Sequence, residues 1–260
     1  PGRCRADILS FTVNPMPAAP DSMHVFITGA SRGLGRAIAR AFAAPGSLIG
    51  MHYARNEAAA HETARAVKDA GAEPYRVGAA FTETDAVARI YDAIAAHGST
   101  LDALVLNAGI AACALLVNTS EETWDAALDV NYRAHAQLAR RCAAGLMRAG
   151  GHIIVVSSLA GLRGAKGLAA YAASKGALCG FVRDAAIEFG PRGICINALL
   201  PGWLRTEMTA GLDERQFAAH IAENALGRGT TVEEVAAFAR HLASMRNVSG
   251  QVFNLDSRSL

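Results

Sequence analysis

The stretch His24-Val-Phe-Ile-Thr28-Gly-Ala-Ser-Arg-Gly-Leu-Gly35 decides the fold. An apolar run, Met23–Thr28, passes without a break into a turn holding Gly29, Gly33 and Gly35. An amphipathic, alanine-rich stretch then covers Gly33–Ala44. Glycines so placed allow a tight turn, close approach of a pyrophosphate, and contact between helix and strand. The spacing is G-x-x-x-G-x-G, not the commoner G-x-G-x-x-G. Its place after a buried strand favours nucleotide binding over a plain strand–helix connection.

The same alternation repeats along the chain. Short apolar runs at Leu48–His52, Tyr75–Ala79, Leu101–Leu106, His152–Ser157, Ile194–Leu200 and Val252–Leu255 read as strands covered on both faces. Between them, helical stretches are predicted near Glu57–Ala70, Thr84–His97, Glu121–Ala149 and Tyr171–Phe189. Thr119-Ser-Glu-Glu122 and Thr231-Val-Glu-Glu234 have capping-box spacing. Alternation of this kind implies right-handed crossovers and a parallel sheet. The predicted fold class is therefore α/β, a doubly wound Rossmann-type three-layer fold with a seven-stranded parallel sheet.

Composition agrees. With 260 residues, 52% hydrophobic and 18% charged, the chain can bury one large core. Residues 23–260 read as one domain. Residues 1–22, with four prolines and no periodicity, read as a partly disordered N-terminal extension. A formal charge of +2 is too mild for nucleic-acid binding, and no apolar run is long enough for a bilayer. Five cysteines without a C-x-x-C pair suggest a reducing compartment, hence the cytoplasm.

The end of the second strand addresses the nicotinamide cofactor. An acid there would bind the ribose hydroxyls of NAD. The chain reads His52-Tyr-Ala-Arg55-Asn56, with no acid before Glu57. Arg55 and, from the glycine turn, Arg32 could instead approach a 2′-phosphate, which favours NADPH.

Further on come Asn107-Ala-Gly109, Asn131, Ser157-Ser158 and Tyr171-Ala-Ala-Ser-Lys175. Four residues apart at a helix start, Tyr171 and Lys175 share a face. An ammonium beside a phenol, together with the positive nicotinamide ring of an oxidised complex, would stabilise the phenolate and bring it nearer neutrality, making Tyr171 a usable proton donor or acceptor.

Taken in order, these motifs resemble those of the short-chain dehydrogenase/reductase family over Met23–Asp256, most like its 3-oxoacyl-[acyl carrier protein] reductases of fatty acid biosynthesis. The resemblance implies Tyr171 as general acid/base and Ser158, thirteen residues earlier, as hydrogen-bond donor to the substrate carbonyl. Lys175 would hold the nicotinamide ribose, and Asn131 would position a water that relays protons. Gly29, Ser31, Arg32, Gly33, Leu34, Gly35, Arg55, Asn107, Ala108, Gly109, Pro201, Gly202, Leu204 and Thr206, together with Tyr171 and Lys175, would bind NADPH or NADP. A homo-oligomer, tetramer or dimer, would pair through Glu121–Ala149 and Tyr171–Phe189.

Two places depart from the family pattern. Ala80 stands where an acid that contacts adenine is common, and Ser257-Arg258 replaces a glycine pair after Asp256. Trp203–Arg228 would form the substrate lid, with Met208, Leu212, Phe217 and Ile221 offering apolar contacts and Trp203 lining the cleft or packing beneath it. An acyl carrier protein is acidic, so Arg148 and Arg192 are candidate docking residues, or ordinary solvated charges. The eight histidines show no metal-ligand spacing, and no metal is proposed. Reduction of another ketone, oxidation of a secondary alcohol, and a catalytically silent nucleotide-binding scaffold are the competing readings. The complete Asn131, Ser158, Tyr171 and Lys175 set argues against silence, because stability does not require all four.

Overall fold

A computed structural model describes residues 22–258. Most of the predicted N-terminal extension lies outside the described residues. The strands are β1 (His24–Ile27), β2 (Leu48–Tyr53), β3 (Glu73–Gly78), β4 (Ala103–Leu106), β5 (His152–Val156), β6 (Cys195–Pro201) and β7 (Val252–Leu255). They form one parallel sheet in the order β3-β2-β1-β4-β5-β6-β7. The order reverses between β1 and β4, so a crevice opens there beyond the carboxyl ends of the strands.

The helices are α1 (Gly33–Phe42), α2 (Glu57–Asp69), α3 (Ala86–Ala96), α4 (Glu121–Leu128), α5 (Ala134–Ala149), α6 (Ala160–Arg163), α7 (Ala169–Phe189), α8 (Glu214–Ile221) and α9 (Val232–Leu242). Alternate residues of the central strands feed two cores, as a period of two requires. Val25, Ile27, Ile49, Met51, Val105, Ile154 and Leu199 pack with Ile38 and Phe42 of α1 and Val235 and Leu242 of α9. Phe26, Leu104, Leu106, Ile153, Val155 and Ile196 pack on the other face with Ile90 of α3, Leu138 of α5 and Leu178 of α7. The three layers follow from strands that are apolar on both sides.

Several predicted boundaries move. The long helix expected over Glu121–Ala149 is interrupted by a π-helical turn at Asp129–Arg133. Its N-cap is Ser120, which accepts from the Thr123 amide, whereas the Thr119 hydroxyl turns back to the Leu115 carbonyl. Thr231 forms the expected capping box with Glu234. Inside the segment read as lid, α8 begins with a second capping box, Asp213 with Gln216.

Candidate active site

The glycine turn is built by its backbone. Gly29 and Gly33 take φ of +66° and +51°, where a side chain would be strained. A Cβ on Gly29 would lie 2.9 Å from the Ala108 Cα, so the turn presses against the loop after β4. A Cβ on Gly35 would collide with the Gly29 carbonyl. The Asn107 amide nitrogen donates to the Thr28 and Gly29 carbonyls at 2.9 and 3.1 Å, tying the two loops together. The Ser31 carbonyl accepts from Arg36 Nη2 (2.9 Å) and the Thr63 hydroxyl (3.1 Å). His52 Nδ1 accepts the Gly29 N–H at 3.1 Å, so Nε2 carries the proton it gives the Ala79 carbonyl. Burial holds this imidazole neutral, its pKa lowered to about 4. Thr63 and His52 carry no spacing signal, because each acts on backbone groups far away in sequence, and Arg36 gains its role only when the turn brings the Ser31 carbonyl onto its guanidinium.

Leu34 and Gly35 are buried at the start of α1, and Ser31 is half-buried in the turn. Arg32, in the turn itself, and Arg55, after β2, are both exposed. Neither takes part in an ion pair among the described residues, whereas Arg36 and Arg76 pair with Glu62 and Glu57. Ala80 donates its amide to Glu83, and Phe81 stacks on His52 with centroids 4.7 Å apart. From the far side, Thr206 packs close to Gly33, with its Cβ 3.3 Å from where a Gly33 Cβ would stand. These residues leave a backbone cradle that a side chain would fill, flanked by two free guanidinium groups, which fits a phosphorylated dinucleotide.

Tyr171 and Lys175 lie in the first turns of α7, beside the carboxyl end of β5. Lys175 is buried and donates from Nζ to the Val156 carbonyl at 2.8 Å. Desolvation lowers its pKa to about 8. Its Nζ sits 5.8 Å from the Tyr171 ring centroid. The expectation that this ammonium draws the phenol toward neutrality does not describe the protein alone. Burial instead pushes the Tyr171 pKa up, opposed by hydrogen bonding to Ser158. Ser157 turns inward and donates to the Lys175 carbonyl at 2.7 Å, leaving half-buried Ser158 beside Tyr171.

Asn131 sits in the π turn, fully buried. Its side chain accepts from the Ile110 amide (2.8 Å) and donates to the Ile110 carbonyl and the Ser174 hydroxyl (both 2.9 Å). That amide is committed to bracing the loop after β4 against α7. A Cβ on Gly109 would stand 3.2 Å from Asn131 Oδ1 and 3.5 Å from Lys175 Nζ, so Gly109 keeps this corner open.

After β6, Pro201 ends the strand and Leu204 is buried in the core. Gly202 abuts Asp256, with no room for a side chain between. Trp203 stacks on His220 of α8, centroids 3.9 Å apart and nearly parallel. Phe217 is buried beneath the Arg205 guanidinium, 4.1 Å from its ring, so it packs the lid and leaves Met208 and Leu212 for contact. Arg258 forms a two-bond pair with Asp256 at 3.0 and 2.6 Å, which replaces the expected glycine pair with a charged clasp. Neighbouring Ser257 holds the Ala225 and Leu226 amides of the lid. Arg148, in the last turn of α5, binds the Ser99 carbonyl, and Arg192 precedes β6. Both therefore sit at the amino end of the sheet, away from Tyr171 of the same chain, and cannot rim its cleft.

The family described as enoyl-(acyl carrier protein) reductase matches residues 29–257. The chain is 35% identical to a 3-oxoacyl-[acyl-carrier-protein] reductase of Synechocystis, over 88% of this chain and 94% of that protein. It is 33% identical to the 3-oxoacyl-[acyl-carrier-protein] reductase FabG of Chlamydia muridarum, with the same coverage. Among solved structures, a putative NAD(P)-dependent gluconate 5-dehydrogenase from Beutenbergia cavernae with bound NADP superposes with a TM-score of 0.85. It is 33% identical and covers 92% of this chain and 98% of its own. A short-chain dehydrogenase from Burkholderia cenocepacia in complex with NADP gives 0.83 at 30% identity, covering 90% and 96%. The chain belongs to the short-chain dehydrogenase/reductase family of oxidoreductases.

Proposed function

We propose that the protein is an NADPH-dependent reductase of 3-oxoacyl thioesters, carried on an acyl carrier protein or on coenzyme A. The observation that carries this reading is the grouping of Tyr171, Ser158 and Lys175 at the carboxyl end of β5, with the loop 107–109 between Lys175 and the glycine turn. The cofactor, when bound, supplies a hydride to the substrate carbonyl carbon. Everything else falls to side chains of this chain. Ser158 donates a hydrogen bond to the carbonyl oxygen and stabilises the charge that grows on it. Tyr171, kept protonated by its raised pKa, gives its proton to that oxygen. Lys175, fixed by the Val156 carbonyl, presents positive charge near the Tyr171 ring and holds the ribose hydroxyls. Asn131 keeps the Lys175 corner in register through Ile110 and Ser174. Arg32 and Arg55 select the 2′-phosphate.

The apolar rim supports an acyl substrate. Exposed Ile110, Leu115, Leu116 and Val117 follow β4, Leu162 follows β5, and Met208 and Leu226 follow β6. Exposed apolar side chains gathered on the segments that follow β4, β5 and β6 suit an apolar ligand at that end of the sheet. The copy number we propose is two or four, through α4–α5 and α7, where Met147 and Ile187 are exposed. Cys113, Cys142, Cys179 and Cys195, unpaired among the described residues, suit the cytoplasm. The test follows NADPH and NADH oxidation with acetoacetyl thioesters. Turnover with NADPH well above NADH supports the reading, and turnover confined to other ketones or alcohols replaces the thioester substrate.

A further inference from the structure

The most unusual buried polar group outside the Tyr171–Lys175 pair is His135, in the first turn of α5. It is 0% exposed, and nothing in the reaction above uses it. Its partners place it between two parts of the site. Nδ1 lies 3.1 Å from the Asn131 carbonyl, which can only accept, so Nδ1 carries the proton. Nε2 is then an acceptor and faces the Thr28 hydroxyl at 3.4 Å, whose one proton it shares with the Val105 carbonyl at 3.3 Å. Thr28 Oγ1 in turn accepts the Asn107 and Ala108 amides at 2.8 and 3.0 Å. The Asn131 side chain grips Ile110 on both its backbone groups. The loop 107–110 is thus held at one end by Thr28 and at the other by Asn131, and His135 joins the two holders. The resulting ring of hydrogen bonds encloses Gly109, against which Lys175 Nζ rests.

From this geometry we infer that His135 is a positioning residue: its Nδ1–H bond to the Asn131 carbonyl keeps the π turn, the loop 107–110 and Lys175 in catalytic register. The π turn gives the reason that such a bond is needed. Widening the helix at Asp129–Arg133 loosens the regular backbone ladder, and the His135 side chain adds a donor from the following turn to the Asn131 carbonyl. The groups facing the imidazole suit a neutral ring. Burial disfavours a charged imidazole most, Lys175 repels a second positive charge, and Phe81 covers the ring edge-on at 5.6 Å between centroids.

The inference rests on the carbonyl-reductase reading only for its kinetic readout. Two amide substitutions separate its two bonds. His135→Asn places an amide N–H near the Nδ1 position and can keep the bond to Asn131. His135→Gln places its amide near Nε2 and can keep only the link to Thr28. His135→Leu keeps neither. The three variants and the parent are compared by kcat and KM for substrate, by melting temperature, and by hydrogen exchange of the segment 105–112 without substrate. The expected result is that kcat falls about 10- to 100-fold in His135→Leu and His135→Gln with KM nearly unchanged, and that His135→Asn restores most of it. Exchange of 105–112 should speed up in the same two variants, out of proportion to their melting temperatures. Equal kcat in all variants, recovery in His135→Gln and not in His135→Asn, or losses that simply track melting temperature would each overturn the inference. If the parent turns over no carbonyl substrate, the functional reading fails while the exchange comparison still decides the role of His135.

Discussion

Lys175 donates from Nζ to the carbonyl of Val156, the last residue of β5, at 2.8 Å, and so pins the catalytic helix to the end of the sheet. A cation held there without a carboxylate partner is costly, which is why its pKa is lowered to about 8. Between about pH 8 and the ordinary lysine value of 10.5, the unfolded chain binds more protons than the folded one. Stability from this group therefore rises with pH across that window and is lost as pH falls through about 8. The full effect is on the order of 3 kcal/mol. Chemical denaturation at pH 8 and pH 10 should show the parent gaining stability relative to Lys175→Met. A constant difference between the two proteins would refute the buried-cation description.

Arg32 in the glycine turn and Arg55 after β2 are exposed and without ion pairs among the described residues. A charge-assisted bond to phosphate contributes about 1.5–3 kcal/mol. Arg55→Ala should raise KM for NADPH about 10- to 100-fold and leave KM for NADH within a few-fold. Arg32→Ala should act in the same direction. Equal losses with both cofactors would mean that neither guanidinium reads the 2′-phosphate.

Asp256 and Arg258 form a clasp whose side chains are only 1% and 8% exposed. Arg258→Ala strands a buried carboxylate against Gly202, at a cost of about 3–5 kcal/mol. Because Ser257 between them holds two lid amides, KM for substrate should rise more than kcat falls. A lowered melting temperature with unchanged KM would confine the pair to stability.

The strands and the glycine turn are legible in the sequence because each depends on local composition: apolar runs, and glycines where positive φ is needed. Asn131, Ser158, Tyr171 and Lys175 were readable as an ordered set, and the fold brings Ser158, Tyr171 and Lys175 to one end of β5. What escaped depends on side-chain contacts with backbone groups that only the folded chain brings into position. His52, His135 and Arg36 read as ordinary side chains until the fold sets them against Gly29, Asn131 and Ser31. The π turn has no composition signal, since Asp129–Arg133 continues an alanine-rich helical pattern. Arg148 and Arg192 were placed by chain position, yet helices that precede a strand end at the amino edge of the sheet, opposite the cleft. The charged clasp at Arg258 could not be foreseen from an expected glycine pair.

The central claim is that Tyr171 is the proton donor of an NADPH-dependent carbonyl reductase. Its most direct test is Tyr171→Phe, with NADPH oxidation in the presence of an acetoacetyl thioester and the NADPH dissociation constant measured side by side. The expected result is a loss of kcat of about 10²–10⁴-fold with cofactor affinity within a few-fold of the parent. Turnover that survives the loss of the hydroxyl would contradict the claim.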